Sequence, residues 1–294
     1  MLKVNFWRIP TQIMERTTMS NSPPVLTHGV SVRSEANEQV GYLAEEIKRK
    51  GYAIIPNVFS ATEMKQAREY LYTIYEKQVS EVGGLDVLKK INDANIVRSP
   101  LVYNDIFVSI AANKDVLKVV RKILGNNVSL SSQVGILNRP KFQNYQEAWH
   151  RELQYQHFTS SKPLAIQSLV AIDDFTPENG GTFFLAGSHL FDEFPSDQYV
   201  RRNEIQVSAS AGSTILFDSM VYHRGAANRT QTDRVAINNL YTLPIIHQQV
   251  DLARMLNGRF STDPTHRQLF GYEWNPAENI KSWRMQRVER AKKQ

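Results

Sequence analysis

Two histidines and one glutamate are placed where their side chains could bind a single metal ion. His150 and Glu152 are two residues apart. In an extended segment such residues point to the same side, while Arg151 between them points away. His223 follows in a separate segment of the chain. Two imidazoles and one carboxylate on one face of an ion are the ligands of non-haem Fe(II) oxygenases, so His150, Glu152 and His223 predict such a centre.

Arg234 stands eleven residues after His223, in a segment that reads as a strand. A planar guanidinium can bind a carboxylate through two parallel hydrogen bonds. It could therefore neutralise the far carboxylate of a dicarboxylate whose keto-acid end chelates iron. Taken alone, an arginine at this position is more often a surface or an ion-paired side chain.

The composition limits the kinds of site and partner. The chain has no cysteine, which excludes disulfides, thiolate metal sites and cysteine nucleophiles, so a metal must be bound by histidine and carboxylate. The formal charge of +6 is spread along the chain, and its densest part, residues 284–293, reads as a solvated helix end. Neither a nucleic-acid partner nor a membrane segment is predicted, and we expect a soluble, cytoplasmic protein.

The organisation expected from the patterns is one domain behind a leader. Residues 1–34 mix Pro, Ser, Thr and Asn without periodicity and predict a loosely ordered leader. Residues 35–294 predict a single domain with a helical part over 35–126, a strand-rich core over 127–245 and a helical segment over 246–294. Trp274 and Trp283 are expected to pack that last segment against the core.

Local signals place the first elements. Apolar residues recur at helical spacing up to Lys50, and Gly51 follows as a helix end. Ser60 and Glu63 form a capping-box pattern at the start of a second helix. A third helix is predicted over residues 114–124. Short strands separated by turn residues, at spacing typical of a barrel or sandwich, are predicted at 128–132, 165–172, 181–185, 213–217 and 234–241.

Several of these segments together resemble the phytanoyl-CoA dioxygenase family of Fe(II)- and 2-oxoglutarate-dependent oxygenases, which also includes ectoine hydroxylases and aliphatic halogenases. The resemblance is carried by residues 50–58, Trp149-His-Arg-Glu152, Asp173-Asp174, Asn179-Gly-Gly, Ala186-Gly-Ser-His189 and the segment from His223 to Arg234. It implies a mainly β fold with flanking α-helices, built on a double-stranded β-helix, which is a cupin-like jelly-roll core.

The resemblance also implies roles for five residues. His150, Glu152 and His223 would bind Fe(II), and Arg234 would bind the distal carboxylate of 2-oxoglutarate. Gln133, seventeen residues before His150, would contact the same co-substrate.

Two positions depart from the family pattern. Most members have aspartate where this chain has Glu152, and halogenases have a small residue there, so a glutamate argues against halogenation. Ala186 replaces a usual proline, which affects a turn, and we expect His189 in that turn to be structural.

The activity implied is that of a dioxygenase that uses Fe(II), 2-oxoglutarate and O2 to hydroxylate an unactivated C–H bond of a small molecule, releasing succinate and CO2. Polar candidates for substrate contact follow each ligand and suggest a polar metabolite: Arg151, Gln154, Tyr155, Gln156 and Arg224.

Two other functions stay open. The chain could be a protein of this fold that binds metal and 2-oxoglutarate without turnover, for which Glu152 is the supporting feature. It could also be a cupin-type metal dioxygenase that does not use 2-oxoglutarate, but such chemistry has no distal carboxylate for Arg234 to neutralise. The sequence predicts no oligomeric state.

Overall fold

Strands in the described part of the chain form two antiparallel sheets. The computed structural model describes residues 38–142, 145–153 and 157–292, and the predicted leader lies outside them. A six-stranded major sheet has the order β1-β7-β4-β9-β3-β2, and a three-stranded minor sheet has the order β6-β5-β8. The strands are β1 Tyr52–Ile55, β2 Ile96–Arg98, β3 Ser129–Asn138, β4 Ala165–Ala171, β5 Phe183–Leu185, β6 Glu204–Gln206, β7 Thr214–Asp218, β8 His223–Arg224 and β9 Arg234–Thr242.

Helices precede and follow the strand-rich part. They are α1 Gln39–Lys50, α2 Ala61–Glu81, α3 Leu85–Lys90, α4 Asp105–Ala111, α5 Lys114–Leu124, α6 Asp197–Asn203, α7 Leu252–Leu256, α8 Pro264–Leu269 and α9 Ile280–Ala291. α1 ends at Gly51, whose φ of 91° suits glycine. The predicted capping box of Ser60 and Glu63 is present at the start of α2. Among the helices that the structure describes, none combines the length and the apolar character that a bilayer crossing requires.

The two faces of the major sheet bury different partners. Alternate residues of β4 and β9, such as Val170 and Ile237, point outward into the core that contains Leu71 of α2 and Val120 of α5. Their neighbours Leu169 and Ala236 point inward with Phe217 of β7 and pack against Phe184 of the minor sheet. A major and a minor antiparallel sheet that enclose an apolar interior form the double-stranded β-helix that the resemblance implied.

Part of the interior is accessible. Every residue of β3 and β9 is buried except Val134, Ile136 and Asn238, which are partly exposed. The cross-strand pairs Val134/Asn238 and Ile136/Ala236 belong to the inner face. The inner face of β3 and β9 is therefore partly accessible at these three residues.

The C-terminal segment packs differently from the prediction. Trp274 is partly buried and donates a hydrogen bond from Nε1 to the carbonyl oxygen of Gln268, at 3.0 Å. Trp283, on α9, is 47% exposed. The prediction that Trp283 packs against the core is therefore wrong, because α9 is polar on most of its surface and buries little of it.

Candidate metal centre

A short backbone bridge brings His150 next to His223. The N–H of each residue donates a hydrogen bond to the carbonyl oxygen of the other, at 3.0 and 3.1 Å. The two residues form an antiparallel pair, so their side chains project to the same side. Their ring centroids are 4.4 Å apart. Two imidazoles from distant parts of the sequence thus lie side by side at one end of the minor sheet.

The hydrogen bonds of both rings leave the metal-binding nitrogens available. His150 Nδ1 lies 2.8 Å from the carbonyl oxygen of Ala148, and His223 Nδ1 lies 3.0 Å from that of Val221. A carbonyl oxygen only accepts, so each Nδ1 carries the proton and each Nε2 keeps its lone pair. Backbone carbonyls are common partners for the second nitrogen of metal-binding histidines.

Glu152 completes the group. Its backbone N–H donates to the carbonyl oxygen of Ser219 at 2.9 Å, which continues the pairing that starts at His150. Glu152 Oε2 lies 3.9 Å from His223 Nε2. One ligand atom from each of His150, Glu152 and His223 lies within 4.8 Å of the other two. Two imidazole nitrogens and one carboxylate oxygen fit a divalent transition-metal ion.

Arg151 points away from this group, as the alternation of an extended segment predicts. It is 2% exposed, and its guanidinium lies 4.0 Å from the centroid of the Tyr222 ring. Its Nη2 donates to the carbonyl oxygen of Ser188 at 2.7 Å. Arg151 therefore anchors the turn after β5, and the interpretation of it as a substrate contact is wrong.

Apolar surroundings keep His223 neutral. Its ring centroid lies 4.8 Å from that of Phe217 and 6.0 Å from that of Phe184. Burial lowers the pKa of His223 to about 3, and the adjacent His150 contributes to the lowering. The neutral imidazole, which is the form that binds a metal ion, is thus present at every pH near neutrality.

Arg234 is a buried cation in the inner face of the major sheet. It begins β9 opposite Asn138, and its guanidinium lies 4.3 Å from the centroid of the Phe175 ring. Nη2 donates to the carbonyl oxygen of Gly180 at 3.1 Å, while the buried Nε has no hydrogen-bond partner. In the described part of the chain, Arg234 takes part in no ion pair.

The charge of Arg234 persists despite its burial. Burial lowers the pKa of Arg234 to about 10, and Asp173 opposes the lowering. The side chain is therefore a cation at neutral pH. A buried charge without a counter-ion is costly, so an anionic ligand beside Arg234 would relieve a cost already present in the fold.

Gln133 lies on the outer face of the major sheet, which corrects the prediction that it contacts the co-substrate. Its Nε2 donates to the carbonyl oxygen of Phe107 and to Asn239 Oδ1, both at 2.8 Å. Its Oε1 accepts from the N–H of Leu101 at 3.0 Å. The inner positions of β3 are even-numbered, as Ile136 shows. Strand alternation thus directs Gln133 towards α4 and away from the interior.

The remaining polar candidates do not join the centre. Arg224 donates to Glu204 Oε2 at 2.9 Å and lies 3.9 Å from the centroid of the Phe183 ring, on the outer side of the minor sheet. Residues 154–156 lie outside the described residues. His189 Nε2 lies 3.0 Å from the carbonyl oxygen of Lys48, which agrees with a structural role.

Two further residues lie near the centre that the sequence patterns did not single out as part of the site, Gln167 and Asn238. Gln167 Nε2 donates to Glu152 Oε2 at 3.1 Å, and Asn238 Nδ2 donates to Gln167 Oε1. Polar residues inside the predicted strands β4 and β9 were the available signal. Alternation from the apolar residues of each strand would have placed Gln167 and Asn238 on one face.

Comparisons with known proteins agree with this geometry. The family model described as phytanoyl-CoA dioxygenase (PhyH) matches residues 47–236. An uncharacterised protein of Mycobacterium tuberculosis is 28% identical over 232 residues, which cover 77% of this chain and 84% of that protein. An ectoine dioxygenase of Stutzerimonas stutzeri is 25% identical, covering 68% of this chain and 75% of that enzyme.

A solved structure shares the fold. The epimerase SnoN, in complex with Fe3+, α-ketoglutarate and nogalamycin RO, superimposes with a TM-score of 0.55 at 19% identity and covers 69% of this chain and 83% of that one. The matched family segment spans most of the double-stranded β-helix and contains both histidines, the glutamate and the buried arginine. The chain therefore belongs to the phytanoyl-CoA dioxygenase family.

Proposed function

We propose that the protein is an Fe(II)- and 2-oxoglutarate-dependent dioxygenase that hydroxylates an unactivated C–H bond of a small, polar metabolite. One atom of O2 enters the product alcohol, and the other enters succinate as 2-oxoglutarate loses CO2. Family membership and the grouping of three metal-binding side chains support this activity.

The metal would be held by His150 Nε2, His223 Nε2 and a carboxylate oxygen of Glu152. When bound, Fe(II) supplies the redox chemistry that couples O2 to the decarboxylation of 2-oxoglutarate. Three protein ligands leave positions on the ion for the co-substrate and O2. The chain itself orients both imidazoles through their Nδ1 hydrogen bonds.

Arg234 is the observation that carries the assignment of 2-oxoglutarate. It is a buried guanidinium whose Nε has no partner and which takes part in no ion pair among the described residues. A dicarboxylate whose keto-acid end lies at the metal would place its distal carboxylate against this cation, where a two-point contact is available. A metal dioxygenase that does not use 2-oxoglutarate would have no distal carboxylate for this buried cation to bind.

The interior also fits a C–H oxidation shielded from water. Phe175, Phe184 and Phe217 form part of the apolar cluster between the sheets, and the rings of Phe184 and Phe217 lie next to His223. Such a lining excludes water from the reacting centre.

The accessible part of the inner wall supports a polar substrate. Asn238 lies there, and its buried Oδ1 has no hydrogen-bond partner. An acceptor without a partner on this partly exposed side chain favours a ligand that carries a hydroxyl or an amine, because a purely hydrocarbon ligand would leave it unsatisfied. A cytoplasmic location and the lack of a nucleic-acid partner stay predictions from composition.

The test is succinate formation by the purified protein. We expect slow release of succinate from 2-oxoglutarate that requires both Fe(II) and O2 and stops when a chelator removes the metal. Succinate formation should rise when a substrate is added from a panel of hydroxylated and amino metabolites. Binding of metal and 2-oxoglutarate with no succinate under any condition would instead identify a binding protein of the same fold.

A further inference from the structure

Gln167 lies between the candidate metal-binding glutamate and strand β9. It is fully buried on the inner face of β4, opposite Leu240 of β9. Asn238 is the diagonal neighbour on the same face, within reach of a long side chain. Gln167 Nε2 donates to Glu152 Oε2 at 3.1 Å, and Asn238 Nδ2 donates to Gln167 Oε1.

The direction of this chain of hydrogen bonds is fixed by the carboxylate. An ionised carboxylate only accepts, so Gln167 must turn its NH2 towards Glu152. Its carbonyl oxygen then faces β9 and can only accept, which forces Asn238 to present its own NH2. The orientation of the Gln167 amide therefore follows from the charge of Glu152, and the orientation of the Asn238 amide follows from that of Gln167.

Glu152 needs such a constraint more than an aspartate would. Its side chain has one more rotatable bond and is 32% exposed. Within the described residues, Gln167 supplies the only side-chain hydrogen bond to its carboxylate. The same oxygen, Oε2, faces His223 Nε2.

We propose that Gln167, itself oriented by Asn238, is a positioning residue that holds the Glu152 carboxylate in the direction required for metal binding. This role rests on the proposed function, because it assumes that Glu152 is a ligand. It accounts for a glutamate at this position: the extra methylene brings the carboxylate within reach of Gln167 and of the two histidines together.

The probe is Co(II) alone, titrated into the full-length protein, so that metal binding is measured independently of any activity. Gln167→Met keeps the length of the side chain and removes its amide. We expect the affinity for Co(II) to fall by about 10- to 100-fold, which is the range typical for the loss of a hydrogen-bond partner of a metal ligand. The d–d absorption spectrum of bound Co(II) should change as well, because the carboxylate is no longer held in one orientation.

Gln133→Met is the matched control. It is the same substitution at another fully buried strand glutamine, and it removes hydrogen bonds on the opposite face of the sheet. Its Co(II) affinity and spectrum should equal those of the parent even though it loses stability. Asn238→Leu offers a second test, with a smaller loss of affinity in the same direction, if Gln167→Met does not fold.

A double-mutant cycle separates positioning from general distortion. In a Glu152→Ala background, Gln167→Met should have no further effect on Co(II) affinity. The proposal is overturned if Gln167→Met binds Co(II) as the parent does, or if it weakens binding equally with and without Glu152. Failure of the parent itself to bind Co(II) would refute the proposed function and this role with it, whereas parental binding with an unaffected Gln167→Met refutes the role alone.

Discussion

His150 and His223 exchange two backbone hydrogen bonds, and their ring centroids lie 4.4 Å apart. Backbone hydrogen bonds from Glu152 to Ser219 and from Gly225 to Gln146 join the same two segments on either side of this bridge. A metal ion shared by the two side chains would add a connection between these segments through their side chains.

Metal binding should consequently stabilise the fold through His223. A ligand that binds only the native state raises the melting temperature. We expect Co(II) to raise the melting temperature of the parent and to leave that of His223→Ala unchanged. The affinity of His223→Ala for Co(II) should fall by more than about 100-fold, because losing a ligand costs more than losing a hydrogen-bond partner of a ligand. His189→Ala, which removes a buried histidine outside the group, should keep the metal-dependent shift. Equal shifts in both variants would contradict the assignment.

Arg234 should control the binding of 2-oxoglutarate and leave metal binding intact. Removing one partner of a buried charge pair costs about 2–5 kcal/mol, so Arg234→Leu should weaken 2-oxoglutarate binding by about 30-fold or more. Arg234→Lys keeps the charge but loses the forked geometry, so its affinity for 2-oxoglutarate should lie between those of the parent and Arg234→Leu. Calorimetric titration of 2-oxoglutarate into the metal-loaded protein measures this. Arg224→Leu, a cation on the outer side of the minor sheet, is the control, and a similar loss there would argue against a specific role for Arg234.

Gly180 should be intolerant of a side chain because it supports Arg234. Its carbonyl oxygen accepts from Arg234 Nη2, and a Cβ there would lie 2.3 Å from the carbonyl oxygen of Ala226 and 2.5 Å from Asn138 Nδ2. We expect Gly180→Ala to lower the free energy of unfolding by about 1–3 kcal/mol from crowding and to weaken 2-oxoglutarate binding.

The control for Gly180 separates crowding from backbone strain. Gly84 also has a positive φ, of 117°, but a Cβ there would meet nothing within 4 Å. Gly84→Ala should therefore cost only the strain of that conformation and leave 2-oxoglutarate binding unchanged. If both substitutions cost the same and neither affects the co-substrate, crowding around Gly180 is irrelevant.

Gln133 should matter for stability and not for the co-substrate. Gln133→Met leaves the carbonyl oxygen of Phe107 and the N–H of Leu101 without these partners. Buried groups left unsatisfied cost about 1–3 kcal/mol. Chemical denaturation should show this loss, while the dissociation constant of 2-oxoglutarate stays that of the parent. A weakened co-substrate affinity at full stability would restore the original prediction.

The sequence predicted the elements with strong local signals. The helix up to Lys50, the capping box at Ser60 and the strands β4, β7 and β9 are found close to their predicted bounds. Short elements such as β2 and α4 were missed, because a strand of three residues is specified by its pairing with β3 and not by a local pattern.

Strand alternation predicted which side chains of the site point to the same side of an extended segment. The spacing of His150 and Glu152 predicted side chains on one side, and the structure brings both to His223. The prediction for Gln133 was wrong because the resemblance matches a position in the sequence and does not tell which face of β3 that position occupies. Trp283 was misplaced because aromatic size indicated burial, whereas α9 exposes most of its surface. Alternation places Gln167 and Asn238 on the inner faces of their strands, but their contact depends on the pairing of β4 with β9, which no local pattern reveals.

The most direct test of the account is an anaerobic absorption titration of the Fe(II)-loaded protein with 2-oxoglutarate. Chelation of iron by the keto-acid end should produce a visible charge-transfer band that saturates with 2-oxoglutarate, and the band should be lost in His223→Ala and need far more 2-oxoglutarate in Arg234→Leu. Absence of the band in the parent, under conditions where Fe(II) is bound, would contradict the assignment of this centre to 2-oxoglutarate chemistry.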